Sequence, residues 1–239
     1  MTMSALLTTV IKKLESLVPE YAILGNSIFY DTDHFPWAKE LEANWKVIRQ
    51  ELDQVMTYAD ILPNFQDISP RQQNIAGDNR WKTYFFYAFG YQSQKNCDRC
   101  PETAKLLRRI PGMKVAFFSI LAPGKHIPEH CGKHKGILRY HLGLKVPTPK
   151  TACRIRICDQ IAYWEEGKSL IFDDTFPHEV WNDTDDYRVV LFLDIVKPLR
   201  FPLSFVNWMA CQIIGLSPIV QVARGNQENW EKQFEDLLN

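Results

Sequence analysis

The sequence has no excess charge of either sign. Lys and Arg number 28, and so do Asp and Glu, giving a formal net charge of +0 over 239 residues. A general nucleic-acid binder needs a basic face, so this balance counts against that partner and leaves room only for a local basic pocket. No basic segment followed by an apolar core and a small-residue cleavage site opens the chain, so Met1–Glu20 is not read as a signal peptide. The first 200 positions contain no run of charge-free apolar residues long enough to span a bilayer. There is no internal repeat and no low-complexity tract. Without an export signal, the six cysteines are expected to be mostly reduced thiols of a cytoplasmic protein, at most peripheral to the inner membrane face. Cys97-Asp-Arg-Cys100 lacks a second pair with matching reach. Cys153 and Cys158 could complete a zinc site only by a coincidence of fold, so plain thiols are expected, with a redox disulfide as the alternative.

What is present suits a large folded domain. Hydrophobic residues make up 46% and aromatics 13%, enough for a sizeable core. Leu6, Leu7, Val10, Ile11, Leu14 and Leu17 recur at helical spacing. A second helix is expected over 36–56, with Pro36 in its first turn and Leu41, Trp45, Ile48, Leu52 and Val55 on one face. Residues 58–80 are turn-rich, Trp81–Tyr91 has strand character, and a short helix is expected over Ala104–Arg109. From 113 onward the texture changes. Met113–Leu121, Arg139–Val146, Arg154–Cys158, Lys168–Phe172 and Arg188–Val196 are short β-branched or aromatic runs between turn residues. That spacing predicts a sandwich or jelly roll, not alternating βα units. The expected class is mainly β with flanking helices. The expected organisation is a helical extension over 1–75, a β domain over 76–200, and an apolar helical segment with a polar tail over 201–239. The segment 201–222 reads as a helix packed on the barrel, and in a sharper reading as a membrane-surface segment.

Chemistry concentrates between His130 and Arg188. Of six histidines, His126, His130, His134 and His141 crowd one stretch, and His178 follows Phe172-Asp-Asp-Thr-Phe-Pro. Non-haem iron(II) oxygenases hold the metal with two imidazoles and usually one carboxylate, leaving positions open. In a jelly roll the two imidazoles come from strands far apart in the chain, and His130 and His178 fit that pattern. The usual carboxylate would stand two residues after the first histidine, where this chain has Gly132. Either water takes the third position or a carboxylate from elsewhere does, with Asp173, Asp174 and Glu179 as candidates. Arg139 and His141 share one face of a predicted strand. Arg188 opens an apolar strand and shares its face with Val190, Phe192 and Asp194. An inward arginine there needs an anion, and its planar fork suits a carboxylate. A surface salt bridge would explain Arg188 alone; with His178 ten residues upstream, a 2-oxoglutarate pocket is the better reading.

These motifs carry a resemblance over roughly Trp81–Lys197. His130-x-Gly132, Arg139-x-His141-Leu-Gly-Leu, Trp164-Glu-Glu-Gly-Lys-Ser-Leu-Ile-Phe-Asp-Asp174, His178-Glu-Val-Trp181 and Arg188 resemble the aspartyl/asparaginyl β-hydroxylase family. That resemblance implies a double-stranded β-helix (a jelly roll, cupin-like) and a dioxygenase using Fe(II), 2-oxoglutarate and O2. It implies His130 and His178 as metal ligands, with Ser119 and Arg188 on the distal carboxylate of 2-oxoglutarate. Arg139 and His141 match positions at the cosubstrate's other end, and Trp81 a tryptophan near the site. Glycine at 132 is the family's own variation in its animal members. Bacterial lipid A acyl-chain hydroxylases look similar in Arg-Tyr-His-Leu-Gly-Leu and Lys197-Pro-Leu-Arg-Phe. The expected reaction is hydroxylation of an unactivated carbon of an aspartyl- or asparaginyl-type residue or related small molecule. The alternatives are a lipid acyl chain at a membrane surface and a non-catalytic 2-oxoglutarate-binding domain. Lys133, His134 and Lys135 flank the first ligand and are candidate contacts for an anionic substrate, or else a solvated basic loop.

Overall fold

The computed structural model describes residues 15–238. Most of the amphipathic N-terminal helix read from the sequence lies outside the described residues; its end, 15–21, is helical. The strands are β1 (Phe29–Tyr30), β2 (Trp81–Ala88), β3 (Tyr91–Gln92), β4 (Met113–Leu121), β5 (Lys125–His130), β6 (Ile137–Lys145), β7 (Cys153–Ile157), β8 (Gln160–Tyr163), β9 (Ser169–Phe172), β10 (His178–Asn182) and β11 (Arg188–Val196). They form a major sheet in the order β1-β9-β6-β11-β4-β2-β3 and a minor sheet in the order β5-β10-β7-β8. Every strand pairing is antiparallel. The two sheets face each other as a jelly roll.

The alternation along β11 shows why the major sheet is covered on both faces. Val189, Leu191, Leu193 and Ile195 pack into a cluster with Leu41, Ile48, Leu52 and Val55. Val190 and Phe192 point the other way, into a cluster with Phe117, Ile127, Ile155, Trp164, Phe172 and Val180 between the sheets. A period of two sends alternate residues to opposite faces, and both faces here are apolar. Arg188 shares its face with Val190 and Phe192, so it points between the sheets. The helices over 36–56 therefore share one core with this face of the major sheet.

The predicted helix over 36–56 is two helices, Pro36–Ala43 and Trp45–Met56, broken at Asn44. The sequence reading leaves out β1, β5, β8 and β10. β5 carries Pro128 and β8 is largely exposed; both lie at edges of the minor sheet, where an unpaired N–H or a missing one costs little. β10 was seen only as the setting of His178. The strand predicted over Trp81–Tyr91 turns at Phe89 and Gly90, both at positive φ. The 201–222 segment is a helix, Leu203–Gly215, followed after a bend of 52° by a second helix from Pro218. No single described helix is long and apolar enough to cross a membrane.

One glycine positions the site. A Cβ at Gly143 would lie 2.1 Å from the backbone oxygen of Glu165. The chain after β8 crosses β6 at that point, with Gly167 N–H donating to Gly143 O at 2.8 Å. This crossing carries Trp164 into the interior, where it is 1% exposed.

Candidate active site

His130 ends β5 and His178 begins β10, and the register makes them direct cross-strand partners. Their ring centroids are 4.1 Å apart. Each ring is oriented by its own chain: His130 Nδ1 lies 2.8 Å from Pro128 O and His178 Nδ1 lies 2.9 Å from Phe176 O. A carbonyl oxygen can only accept, so each Nδ1 carries the proton and each Nε2 keeps its lone pair. Burial lowers the pKa of His130, and burial together with the neighbouring charge of His130 pushes His178 down to about 3. Both imidazoles are neutral at physiological pH, the state a metal requires.

The carboxylate question is answered by packing. Asp173 is bound to Lys197 Nζ at 2.7 Å and accepts from Thr175. Glu179 is held by Arg156 and by His126 Nε2. Asp174 fills the space at Gly132: a Cβ there would lie 2.3 Å from its Cγ and both its oxygens, and Gly132 N–H donates to Asp174 O at 2.7 Å. Burial raises the Asp174 carboxyl to about 6 against the lowering pull of Arg139, whose Nη2 is 2.9 Å from Asp174 Oδ2. Asp174 does not form a ligand set with the two histidines. Among the described residues no three His, Cys, Asp or Glu side chains make a metal-holding group.

A second cluster faces the same interior. Arg188 is 2% exposed, and its Nε and Nη1 have no hydrogen-bond partner. Its guanidinium lies over Trp164, 4.4 Å from the ring centroid. Burial lowers its pKa to about 10, so it remains a cation at neutral pH. Trp164 Nε1–H donates to His141 Nδ1 at 3.3 Å, which puts the His141 proton on Nε2. That Nε2 is buried and has no partner. Burial first, then the charge of Arg188, holds His141 well below its ordinary pKa. Ser119, 2% exposed on β4, accepts from Trp81 Nε1–H at 3.0 Å, leaving its own O–H free to donate. Arg188, His141 and Ser119 are thus buried donors without acceptors. An orphaned cation and two orphaned donors in an apolar shell cost several kcal/mol, roughly, unless an anion joins them.

Two of the expected contact residues have protein partners. Arg139 is engaged through Nε and Nη2 by Asp194 and Asp174, and its guanidinium lies over the Phe192 ring. His134 Nε2–H donates to Asn207 Oδ1 at 2.9 Å, so it anchors its loop. Lys133 and Lys135 beside it are exposed. His126 stacks on Trp181 outside the site. Cys97 and Cys100 are buried free thiols, with pKa values raised by burial. Trp164 and Asn207 were given no role from sequence; Trp164 at least opens a recognisable motif, whereas nothing local marks Asn207.

The chain is similar to several known proteins. The family description "Aspartyl/Asparaginyl beta-hydroxylase" matches residues 42–198. The ornithine lipid ester-linked acyl 2-hydroxylase of Rhizobium tropici is 46% identical over 232 residues, covering 97% of this chain and 83% of that protein. The human aspartyl/asparaginyl beta-hydroxylase is 36% identical over 177 residues, covering 72% of this chain and 22% of that protein. Among solved structures, a Pseudomonas putida prolyl-4-hydroxylase aligns over 79% of this chain and 99% of its own at 14% identity, with a TM-score of 0.42. On its sequence and the family's span within it, the chain belongs to the aspartyl/asparaginyl β-hydroxylase family of hydroxylases.

Proposed function

We propose that the protein is an iron(II)- and 2-oxoglutarate-dependent hydroxylase of a lipid acyl chain. The observation that carries the cofactor assignment is the buried, unpartnered guanidinium of Arg188 beside the free donors of His141 and Ser119. The residues fit both groups. His130 and His178 offer two neutral Nε2 lone pairs from adjacent strands, and imidazole suits iron(II). Arg188 and Ser119 bind the distal carboxylate of 2-oxoglutarate through charge-assisted hydrogen bonds. His141 Nε2–H donates to the same cosubstrate. When bound, iron(II), 2-oxoglutarate and O2 supply the oxidising chemistry, with succinate and carbon dioxide as co-products.

The protein supplies orientation and a dry wall. Phe172, Val190 and Phe192 line the interior between the two clusters and exclude water. Trp164 holds Arg188 and His141 in one arrangement, and Trp81 fixes the Ser119 hydroxyl. Asp174, tied to Arg139, occupies the space that a side chain at 132 would fill, so His130 and His178 would be the residues that hold the metal. Lys133 and Lys135 stand at the rim as cations for an anionic headgroup.

The acyl-chain assignment rests on the Rhizobium tropici relative, whose likeness runs over 97% of this chain and so includes the apolar C-terminal segment. The second reading is an aspartyl- or asparaginyl-type residue, favoured by the human relative over its shorter match. The test is anaerobic titration with iron(II) and 2-oxoglutarate, followed by aerobic turnover on ornithine-containing lipid and on an aspartyl peptide. A visible charge-transfer band, lost in His130→Ala and His178→Ala, and succinate matched one-to-one by a hydroxylated acyl chain are expected. No band in the wild-type protein would end the cofactor assignment. Succinate coupled only to the peptide would select the second reading.

A further inference from the structure

The helix Leu203–Gly215 reverses the usual amphipathic pattern. Its inward side carries Leu203, Asn207 and Cys211, all buried. Its outward side carries Phe205, Trp208, Met209 and Ile213, with Leu216 following, and these are 54%, 52%, 44%, 65% and 79% exposed. At 100° per residue they fall on one stripe. The Phe205 and Trp208 rings stack on the surface with centroids 5.8 Å apart. No charged residue occurs between Arg200 and Arg224, both exposed.

This stripe is tied to the site. Asn207 Oδ1 accepts from His134 Nε2–H at 2.9 Å, and Asn207 Nδ2 donates to Gly136 O at 2.8 Å. A Cβ at Gly136 would lie 1.8 Å from Asn207 Oδ1, so the 131–136 loop is seated directly on the helix. That loop leaves His130 and presents Lys133 and Lys135 to solvent. An apolar face, with a cation before it and cations in the loop it holds, continues the rim of the candidate active site.

Resting on the lipid reading above, we propose that this face seats the protein on an anionic phospholipid bilayer. The helix lies flat at the boundary of headgroups and acyl chains, its exposed aromatics in the interface and Lys133, Lys135 and Arg200 at the level of the phosphates. The loop carrying His130 is then held against the surface from which an acyl chain must enter. The helix does not span: Asn207 fixes its inner side, and a Cβ at Gly215 would lie 3.1 Å from Phe89 O, so it runs along the domain. A second copy of the chain is a poorer occupant. A two-fold contact through this face sets its flanking cations against those of its partner, whereas anionic headgroups neutralise them.

The test uses metal-free full-length protein and sucrose-loaded vesicles of phosphatidylcholine, alone or with phosphatidylglycerol. Co-sedimentation that requires phosphatidylglycerol and weakens with salt is expected. Lys133→Glu with Lys135→Glu lowers partitioning about fivefold per altered charge, and Trp208→Ser with Ile213→Ser abolishes it. Near-UV circular dichroism checks that each variant is folded, which exposed positions favour. No vesicle binding by the wild type, binding unchanged in the Trp208/Ile213 variant, or a wild-type dimer that this variant dissociates would overturn the proposal. Hydroxylation of detergent-dispersed lipid without vesicle binding would overturn the docking alone. Vesicle binding without acyl hydroxylation would uphold the docking and overturn the substrate reading.

Discussion

Two arginines enter the same interior, and only one is satisfied. Arg139 on β6 meets two carboxylates, Asp194 Oδ1 at 3.0 Å and Asp174 Oδ2 at 2.9 Å. Arg188, at the start of the neighbouring β11, meets an indole face and no carboxylate. Both are deeply placed, so desolvation penalises both. The difference lies in the partners, and it separates structure from function. The Arg139 corner is electrostatically closed and holds strands β6, β9 and β11 together. The Arg188 corner holds a buried cation that meets no carboxylate among the described residues, so nothing there offsets its desolvation. Sequence spacing treats the two as equals, because both stand on inward strand faces.

Substituting each arginine should break the symmetry in opposite directions. In metal-free protein without cosubstrate, Arg139→Met leaves Asp174 and Asp194 unpaired and should cost about 3–5 kcal/mol of stability. Arg188→Met removes an uncompensated cation and should leave stability unchanged or raised. The same Arg188→Met should weaken 2-oxoglutarate binding a hundredfold or more, about 2–5 kcal/mol. Thermal unfolding and anaerobic titration read the two effects; equal losses of stability would show that Arg188 has a protein partner after all.

Gly132→Ala sharpens the closed corner. The new Cβ falls on the Asp174 carboxylate, so Asp174 must move off Arg139, at about 1–3 kcal/mol. Adding Asp174→Ala should recover part of that loss, because the obstruction is removed and Asp194 still holds Arg139. Additive losses in urea unfolding of the single and double variants would show that the two residues do not share that space. The smallest effect belongs to the open corner's neutral donor. Ser119→Ala should weaken 2-oxoglutarate by about 1 kcal/mol, roughly fivefold, without altering the iron-dependent histidine signals. An unchanged dissociation constant would remove Ser119 from the site.

Legibility followed the range of the signal. Met113–Leu121 and Arg188–Val196 were readable to the residue because a strand buried on both faces is a continuous apolar run. β5, β8 and β10 were not, since short strands with one exposed face alternate weakly and Pro128 reads as a break. The break at Asn44 was hidden by an apolar spacing that runs through both helices. His130 and His178 could be nominated from sequence, but their pairing rests on the register of β5 with β10, in which a slip of one residue would turn one imidazole outward.

The sequence by itself indicated a mainly β sandwich or jelly roll from residue type and local period, nominated His130, His178 and Arg188 as site residues, and pointed to the family through the resemblance of its motifs. The tertiary structure alone decided which charges cancel. Asp173, Asp174 and Glu179 are equal candidates from sequence for the third metal position, and packing gives Lys197 to the first, Arg139 to the second and Arg156 to the last. It likewise gave two carboxylates to Arg139, none to Arg188, and Asn207 to His134. A buried charge is defined by the partner it meets, and Arg139 meets Asp194 from 55 positions away in the chain, beyond the reach of any local pattern.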